Sequence, residues 1–445
     1  MPSSTSKALR IAVLADSDTR WKWGALTARR ITAPDPAEDP VQGVALTGFL
    51  LRGRATPTAR QLAEVGVTAD DLREVTGAEF LRAIRDEEYD VVVLALVGGA
   101  VQAMLHGLAA LRLPRRPVLV TGYVGVVYEK LADGLLLRHG ADVVLANSRH
   151  DADRFRAVYE GVGADASAVT EAALPFLGGA PYAREEDRDT VVFAAQPSVP
   201  ESRADRTYLL RRLVEHARMH PDREVLLKLR SKPGEHTTHL EELPYQKLAD
   251  RLPGGLPPNF SLVYGHMGEV LDRTDLLVTV SSTAALEALH RRIPTAVLSD
   301  LGVREALGNH HFLGSGLIAS WDALDGGYRP QPDEEWLARQ GVAADGTYET
   351  AFDEARKRVA ELLGRPELPP VAPYYTVATA PGYLPGILAR HHLAADGTPL
   401  PGAAAATEPT GLRRIARDAV RGAARGAYRH GVQRVAPVIR RMGAL

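Results

Sequence analysis

Residues 276–300 read LLVTVSSTAALEALHRRIPTAVLSD, and this stretch contains a complete strand, helix and strand. An unbroken apolar run is typical of a strand that is buried on both faces of a parallel sheet. The first run ends at Ser281, Ser282 and Thr283, a helical pattern follows, and a second apolar run begins after Pro294. The stretch therefore predicts a parallel α/β sheet with hydroxyl side chains at the junction of strand and helix.

Apolar runs of the same kind alternate with helical patterns along most of the chain. A charged stretch, residues 178–189, separates two series of them and predicts a linker. This alternation predicts two doubly wound, Rossmann-like α/β domains that face each other across a cleft, residues 1–180 and 190–394. The predicted strands are 9–16, 90–99, 117–123 and 142–148 in the first domain and 190–196, 224–230, 260–266, 275–282 and 294–300 in the second.

The composition excludes several kinds of site. The chain has no cysteine, which excludes disulfides, thiolate zinc sites and cysteine nucleophiles. Residues 1–18 show no signal peptide, so we predict a cytoplasmic protein. Residues 91–111 carry no formal charge and are long enough to cross a bilayer, but a glycine pair interrupts them and their first half is β-branched. They predict a buried strand, a turn and a helix.

The C-terminal end of the chain is strongly basic. Residues 395–410 predict a flexible linker, and residues 411–445 contain nine arginines and one aspartate, a net charge of +8. The rest of the chain therefore carries −10 within the overall charge of −2. From Arg413 to Arg429 an arginine recurs every fourth residue, which predicts a basic amphipathic helix on the inner, anionic face of the plasma membrane. A basic tail that contacts the acidic body is the alternative, and that body argues against nucleic acid as a partner.

Polar residues stand where the strands of the second domain end, and ligands of doubly wound sheets bind at the carboxyl ends of the strands. A helix that starts at Thr283 would direct free backbone N–H groups at an anion such as a phosphate, and Glu287 lies one turn further in, where it could accept from a ribose. In the alternative, Ser282 or Thr283 caps the helix and Glu287 is solvated. The polar residues at the strand ends are Gln196, Lys228, Arg230, His266, Ser281, Ser282, Thr283 and Asp300.

The segments VSSTAALEAL and IPTAVLSD resemble the donor-binding part of GT-B glycosyltransferases. Polysialyltransferases, Kdo transferases and CDP-glycerol transferases, which build capsular and other surface polysaccharides, have similar serine-rich turns. The run VVFAAQPSVPESRADRTYLL and the basic VLLKLRSKPGEHTTH resemble the part before that turn. An uncharacterised family of glycosyltransferase-like proteins from high-GC bacteria is also similar. The resemblance covers residues 190–320 in sequence and the N-terminal half in architecture.

The resemblance implies transfer of a sugar from a nucleotide-activated donor to a glycan or lipid-linked acceptor, in surface polysaccharide biosynthesis. It assigns Ser281, Ser282 and Thr283 to the donor phosphates, Glu287 to the ribose, and Lys228 and Arg230 to the diphosphate. Stabilisation of the departing nucleotide needs no metal, and no cofactor beyond the donor is implied. A sugar-nucleotide epimerase of the same architecture and a catalytically silent nucleotide-sugar-binding protein are the alternatives.

The N-terminal half would bind the acceptor. Its first strand leads into DSDTRWKWG, where Asp18 is the candidate base by position, although an aspartate can equally cap a loop there. Trp21 and Trp23 could stack on sugar rings or pack in the core. The Asp-x-Asp pair is also found in haloacid dehalogenase phosphatases, but Arg20 stands where their motif has Thr or Val. Further cleft candidates are Gly98, Gly99, Tyr123, Arg138, Asn147 and Ser148, and His310 and His311 are candidates for contact with the base or sugar.

Overall fold

A computed structural model describes residues 8–32, 43–53, 55–126, 131–232, 243–342 and 347–401. The predicted basic helix at 411–445 lies outside these residues. The strands are β1 Leu9–Ala15, β2 Val44–Leu51, β3 Asp71–Val75, β4 Val91–Ala95, β5 Val118–Gly122, β6 Val143–Ala146, β7 Val169–Glu171, β8 Thr190–Ala194, β9 Glu224–Lys228, β10 Phe260–Val263, β11 Leu276–Thr279, β12 Thr295–Leu298 and β13 Ile318–Ala319.

Helices follow most of the strands. They are α1 Asp18–Ile31, α2 Ala59–Val65, α3 Gly77–Asp86, α4 Gly98–Leu111, α5 Leu131–Leu136, α6 Arg149–Gly161, α7 Arg203–Met219, α8 Tyr245–Ala249, α9 Met267–Leu271, α10 Ala284–His290, α11 Trp321–Asp325, α12 Glu334–Arg339, α13 Asp353–Leu363 and α14 Leu384–Arg390. Residues 91–111 form β4, a turn and α4, as predicted from the sequence. Among the described residues, no helix is both long and apolar enough to span a membrane.

The strands form two sheets, and all pairs within each sheet are parallel. The first has seven strands in the order β3-β2-β1-β4-β5-β6-β7, and the second has six in the order β10-β9-β8-β11-β12-β13. In both, the chain moves outward from a central strand, returns, and continues on the other side. This is the doubly wound topology, so the prediction of two Rossmann-like α/β domains is confirmed.

The boundaries of the two compact units differ from the predicted ones. The N-terminal unit contains residues up to 177 and also residues 338–401, whereas the C-terminal unit contains residues 178–337. The predicted end of the second domain at residue 394 is therefore wrong. Leu384, Ile387 and Leu388 of α14 are buried in the same hydrophobic core as Met104 of α4. The hydroxyl of Tyr348 donates a hydrogen bond to the Leu174 carbonyl at 2.7 Å.

The predicted flexible linker is described only in its first part, and that part is folded. Residues 392–400 form a small hairpin, in which the Ala394 N–H donates to the Thr398 carbonyl at 2.8 Å and the Leu400 N–H donates to the His392 carbonyl at 2.9 Å. Gly397 has a φ of +85°, and a Cβ there would lie 2.5 Å from the His106 carbonyl oxygen on α4. Close approach of this turn to α4 therefore requires glycine.

Candidate functional site

Three neighbouring strands of the C-terminal unit bring most of the predicted donor residues to one edge. Lys228 at the end of β9 pairs with Ala194 of β8, and Ala194 pairs with Thr279 of β11. Gln196 and Ser281 each lie two residues beyond this row. Because parallel strands end at the same edge, Lys228, Gln196 and the 281–283 turn meet within two strand spacings, roughly 10 Å.

Buried hydrogen bonds of Ser281 join the ends of β8 and β11 at this edge. The Ser281 side chain is buried, and its hydroxyl donates to the Leu307 carbonyl at 2.6 Å. Its backbone N–H donates to the Gln196 Oε1 at 3.0 Å, and the Gln196 Nε2 donates to the Ser281 Oγ at 3.2 Å. The hydroxyl proton of Ser281 is thus used inside the protein, which assigns Ser281 and Gln196 to shaping the junction.

Ser282 and Thr283 differ in what their hydroxyls do. The Ser282 Oγ accepts from the Ala284 N–H at 3.2 Å, so Ser282 caps the first turn of α10, as the alternative interpretation of the sequence stated. Thr283 is part-exposed at the N-cap position, and its side chain makes no capping hydrogen bond within this described turn. Glu287 follows one turn along and is also part-exposed. Of the three hydroxyls, that of Thr283 is the best placed to meet a ligand.

Two cations end the neighbouring strand. Lys228 is only 6 % exposed, and its Nζ donates to the Leu229 carbonyl at 2.8 Å. Arg230 is two residues further on and half-buried. Withdrawing an ammonium group from water is costly unless anionic or polar groups compensate, and the Leu229 carbonyl is one group that compensates here.

His266 lies apart from these residues. It precedes α9 after β10, the outermost strand next to β9. Three strand spacings, roughly 14 Å, separate β10 from β11. The His266 ring itself lies beside Gly268, in the first turn of α9.

Asp300 and His311 have structural surroundings instead. The Asp300 carboxylate accepts from the Tyr208 hydroxyl at 2.9 Å and from the Trp321 N–H at 3.1 Å, which ties α7 and α11 to the end of β12. The His311 ring packs edge-on against Phe312 and Trp336, with centroids 5.2 and 5.8 Å apart. Packing therefore describes the surroundings of His311.

Arg206 is a residue of this edge that the sequence reasoning missed. It lies on α7, is 1 % exposed, and donates from one guanidinium nitrogen to the carbonyls of Gln196, Pro197 and Pro200 at 3.2 to 3.3 Å. Its guanidinium also lies over the Tyr245 ring, 4.2 Å from the centroid. Arg206 therefore fixes the loop that carries Gln196. Local sequence does not indicate that an arginine on a helix will be buried.

In the N-terminal unit, Asp16 and Asp18 follow the central strand β1. The Asp16 carboxylate accepts from Arg20 and from the Val97 N–H, both at 3.0 Å, so Asp16 joins the ends of β1 and β4. Asp18 opens α1 and is part-exposed. A Cβ on Gly24 would lie 2.7 Å from Val13 Cγ1, so glycine allows α1 to pack directly on β1 and hold Asp18 at the edge of the sheet.

Trp21 and Trp23 are fully buried, so packing in the core, the second of the two interpretations of the sequence, describes both. The Trp21 Nε1 donates to the Val67 carbonyl at 3.2 Å. The Trp23 Nε1 donates to Asn147 Oδ1 at 3.4 Å, and Asn147 in turn donates to the Tyr123 carbonyl at 2.6 Å. Asn147 is thus part of the core of this unit and not a free cleft residue.

Arg138 and Ser148 are also used by the fold. Arg138 is buried and donates to the carbonyls of Leu96, Gly122 and Gly134, bracing the ends of β4 and β5. Burial lowers the pKa of this guanidinium. Ser148 caps α6 by accepting from the Asp151 N–H at 3.0 Å.

Asp151 is a second acid that the sequence reasoning did not select. It is 4 % exposed in the first turn of α6, and desolvation raises the pKa of its carboxyl group to about 6. Its Oδ1 lies 3.6 Å from Arg154 NH1. The pKa follows from burial, a tertiary property that the sequence pattern does not contain.

Within the described residues, one group of side chains has the spacing of a metal site: His216, His220 and Asp325. His216 Nδ1 lies 2.5 Å from Asp325 Oδ1, and His216 Nε2 accepts from Arg223 at 2.9 Å. Arg212 donates to the other Asp325 oxygen at 2.9 Å. Both His216 nitrogens are engaged and two arginines contact the same network, so the group does not fit a divalent cation. It lies at the C-terminal end of α7, away from the carboxyl edge of the sheet.

This network predicts a pH dependence of stability. Desolvation lowers the pKa of the fully buried His216 from 6.5 to about 4. The unfolded chain therefore binds this proton more readily, so the stabilisation is complete above about pH 6.5 and is lost as the pH falls towards 4. We expect urea titrations to show a falling free energy of unfolding across that window, and His216→Gln to flatten it. A matched change, His392→Gln, should keep the wild-type slope. Equal slopes in wild type and His216→Gln would contradict the assignment.

The profile of the family described as "Putative glycosyltransferase (DUF6716)" matches residues 11–362, which is most of the chain. The chain belongs to this family. The match runs through both units and includes every predicted donor residue as well as Asp18. No curated protein matched the sequence.

Several solved structures are similar in fold. The putative UDP-N-acetylglucosamine 2-epimerase from Listeria monocytogenes is 13 % identical, with a TM-score of 0.50 over 81 % of this chain and 98 % of that one. The UDP-GlcNAc 2-epimerase from Neisseria meningitidis, solved with UDP-GlcNAc, is 11 % identical. Its TM-score is 0.48, over 80 % of this chain and 99 % of that one. The glycosyltransferase SnogD from Streptomyces nogalater is 17 % identical. Its TM-score is 0.39, over 80 % of this chain and 95 % of that one. At these identities the likeness concerns the fold.

Proposed function

We propose that this DUF6716 protein is a GT-B glycosyltransferase that moves a sugar from a nucleotide-activated donor to a glycan or lipid-linked acceptor. The observation that carries the proposal is the meeting of Lys228, the Gln196–Ser281 pair and Thr283 at three adjacent strand ends. Membership in a family described as glycosyltransferases gives independent support. The donor binds at the C-terminal unit and the acceptor at the N-terminal unit.

The chemistry follows from the charge that develops during transfer. As the bond from the anomeric carbon to the phosphate oxygen breaks, negative charge collects on the departing nucleoside diphosphate. Lys228 and Arg230 neutralise this charge, and Thr283 donates a hydrogen bond to it at the start of α10. Positioned cations and donors stabilise such a charge without a metal ion. Glu287 accepts from the ribose hydroxyls.

Asp18 acts as the base that takes the proton from the acceptor hydroxyl. It stands at the carboxyl end of β1, the central strand of the acceptor-side sheet, and is part-exposed. Asp16 is less suited because both of its oxygens already accept hydrogen bonds. A base in hydrogen-bond reach of the acceptor contributes typically about 10²- to 10⁴-fold to the rate.

The fold by itself does not separate a transferase from an epimerase or from a silent binding protein, because one architecture carries many functions. The three differ in what they do with an acceptor. A transferase releases nucleotide faster when an acceptor is added, an epimerase interconverts nucleotide sugars without one, and a binding protein does neither. Following nucleotide release with and without added glycan therefore separates them.

The setting of the reaction is part of the proposal. We place it in surface polysaccharide synthesis on the cytoplasmic side of the membrane. Support comes from the resemblance of residues 190–320 to capsule-building transferases and from the net charge of +8 on residues 411–445, which is suited to anionic lipid. Deleting residues 411–445 should abolish salt-sensitive binding to phosphatidylglycerol vesicles, and binding that survives the deletion would contradict this role of the tail.

Nucleotide binding is the direct test of the donor site. In a thermal-shift panel of nucleoside diphosphates and nucleotide sugars, at least one compound should bind and raise the melting temperature of the protein. Thr283→Val removes the hydroxyl at nearly constant volume and should weaken binding of that nucleotide about tenfold, the usual worth of a hydrogen bond to a charged group. Ser282→Ala should mainly lower stability, by about 1 kcal/mol, because it removes a helix cap.

The matched control is Thr68→Val, an exposed threonine of the N-terminal unit, which should bind like the wild type. A panel without any shift, or equal affinities for wild type and Thr283→Val, would count against the assigned donor site.

A further inference from the structure

Three tyrosines form a ring cluster on the N-terminal unit that the donor chemistry does not use. The Tyr374 and Tyr375 centroids are 5.2 Å apart at 85°, and those of Tyr375 and Tyr383 are 5.3 Å apart at 70°. Tyr383 is 42 % exposed, and the other two are part-exposed. Tyr374 and Tyr375 pack against the hydrophobic core of the unit, and Tyr383 leaves an exposed aromatic ring beside them.

Tyr383, the most exposed ring of the cluster, lies near the edge of the sheet where ligands bind. Residues 383–391 run past the first turns of three helices. His391 lies against Gly77 at the start of α3, Ile387 lies against Gly99 at the start of α4, and the Tyr383 hydroxyl donates to Asp133 in α5 at 3.5 Å. These helices follow β3, β4 and β5, so the segment passes along the carboxyl edge of the N-terminal sheet.

The backbone of the cluster is anchored. The Tyr375 carbonyl lies 2.9 Å from His106 Nε2 and 3.5 Å from Gln102 Nε2, both on α4. Pro373, the residue before the cluster, packs closely on Gly140, where a Cβ would lie 2.9 Å from it. A surface that is held rigid before binding loses less entropy when a ligand arrives.

The chemistry of the cluster fits a sugar ring. The C–H face of a pyranose is apolar and packs on aromatic rings, while its hydroxyls at the rim need hydrogen-bond partners. Asp133 is exposed beside the tyrosines and can accept from such hydroxyls. Desolvation and the Asp133 carboxylate raise the pKa of Tyr375 and Tyr383, so both phenols keep their protons at neutral pH, and the Tyr383 hydroxyl donates its proton to Asp133.

We infer that the cluster of Tyr374, Tyr375 and Tyr383 is the acceptor subsite, on which a pyranose ring of a neutral or amino sugar stacks while Asp133 accepts from its hydroxyls. This inference rests on the proposed glycosyltransferase function and names the class of its acceptor. The carboxylate disfavours uronic and sialic acids at this position by charge repulsion.

The test is carbohydrate binding in the absence of any donor. The full chain is titrated with chitotriose and with maltotriose, and binding is followed by saturation-transfer NMR and calorimetry. We expect at least one of them to bind the wild type, Tyr383→Ala to weaken that binding about tenfold, and Tyr383→Phe, which keeps the ring, to lose less. Tyr328→Ala is the matched control, because Tyr328 is 49 % exposed and lies in the C-terminal unit.

Three results would overturn the inference: neither sugar binds, Tyr383→Ala binds like the wild type, or Tyr328→Ala weakens binding as much as Tyr383→Ala. The nucleotide thermal-shift panel is independent of this experiment. If nucleotides bind and the oligosaccharides do not, the acceptor subsite is wrong and the donor site stands. If the oligosaccharides bind through Tyr383 and no nucleotide binds, the surface recognises carbohydrate and the transferase proposal is wrong.

Discussion

Lys228→Met should lower kcat/KM for sugar transfer by about two to three orders of magnitude, the usual loss when one group that stabilises transition-state charge is removed. Lys228 is almost buried at the end of β9, level with Ala194 and Thr279 on the neighbouring strands. Methionine has a similar length and no charge, so the change removes the cation and keeps most of the packing. The loss should appear mainly in kcat, because the charge on the leaving diphosphate is greatest in the transition state.

Two further variants make this result specific. Lys228→Arg keeps the charge and should recover part of the activity, whereas Lys357→Met, at an exposed lysine on α13, should be silent. Thermal unfolding of each variant reports whether loss of the bond to the Leu229 carbonyl has damaged the fold. A folded Lys228→Met enzyme with wild-type kcat/KM would exclude Lys228 from the donor site.

Asp18→Asn should lower kcat by about 10²- to 10⁴-fold, the range for removing a general base, and leave nucleotide affinity unchanged. The amide is nearly isosteric with the carboxylate and cannot take a proton at neutral pH. Asp18 opens α1 at the end of β1 in the acceptor-side unit, whereas the proposed donor residues belong to the C-terminal unit. Separate measurement of transfer and of nucleotide binding on one variant therefore tests the assignment.

Asp153→Asn, at an exposed aspartate on α6, is the control and should behave like the wild type. Asp151→Asn is the informative rival, because burial raises the pKa of Asp151 to about 6, within the range useful to a base. If Asp151→Asn loses activity and Asp18→Asn does not, the base assignment is wrong and the transferase proposal survives. If neither variant loses activity, neither Asp18 nor Asp151 is the base.

Much of the C-terminal unit could be predicted from local patterns. The unbroken apolar runs at 190–196, 224–230 and 275–282 are needed because a central parallel strand is covered on both faces, so they identified β8, β9 and β11 directly. Polar residues at the ends of those runs located the edge of the sheet. The role of each hydroxyl was not predictable, because the Ser281 hydroxyl donates to the Leu307 carbonyl, 26 residues away, and accepts from Gln196, 85 residues away.

The N-terminal unit shows the limits of local patterns more clearly. Trp21 and Trp23 looked available for sugar stacking in a short polar stretch, but the packing of α1 on β1 buries both. Arg138 and Asn147 were cleft candidates by position, yet both satisfy carbonyl groups inside the fold. The exposure of a side chain depends on the helices and strands that pack around it. The residues next to it in the sequence do not show which elements these are.

The amino-acid sequence by itself determined the two parallel α/β sheets, the absence of cysteine chemistry and the set of polar strand ends, since apolar periodicity and residue type are written locally. Only the tertiary structure decided which hydroxyl faces outward at the 281–283 turn, that Arg206 holds the Gln196 loop, and that residues 338–401 return to the N-terminal unit and bring three tyrosines together there. The physical reason is that these outcomes rest on contacts between distant segments, and such contacts leave no periodic pattern in the chain.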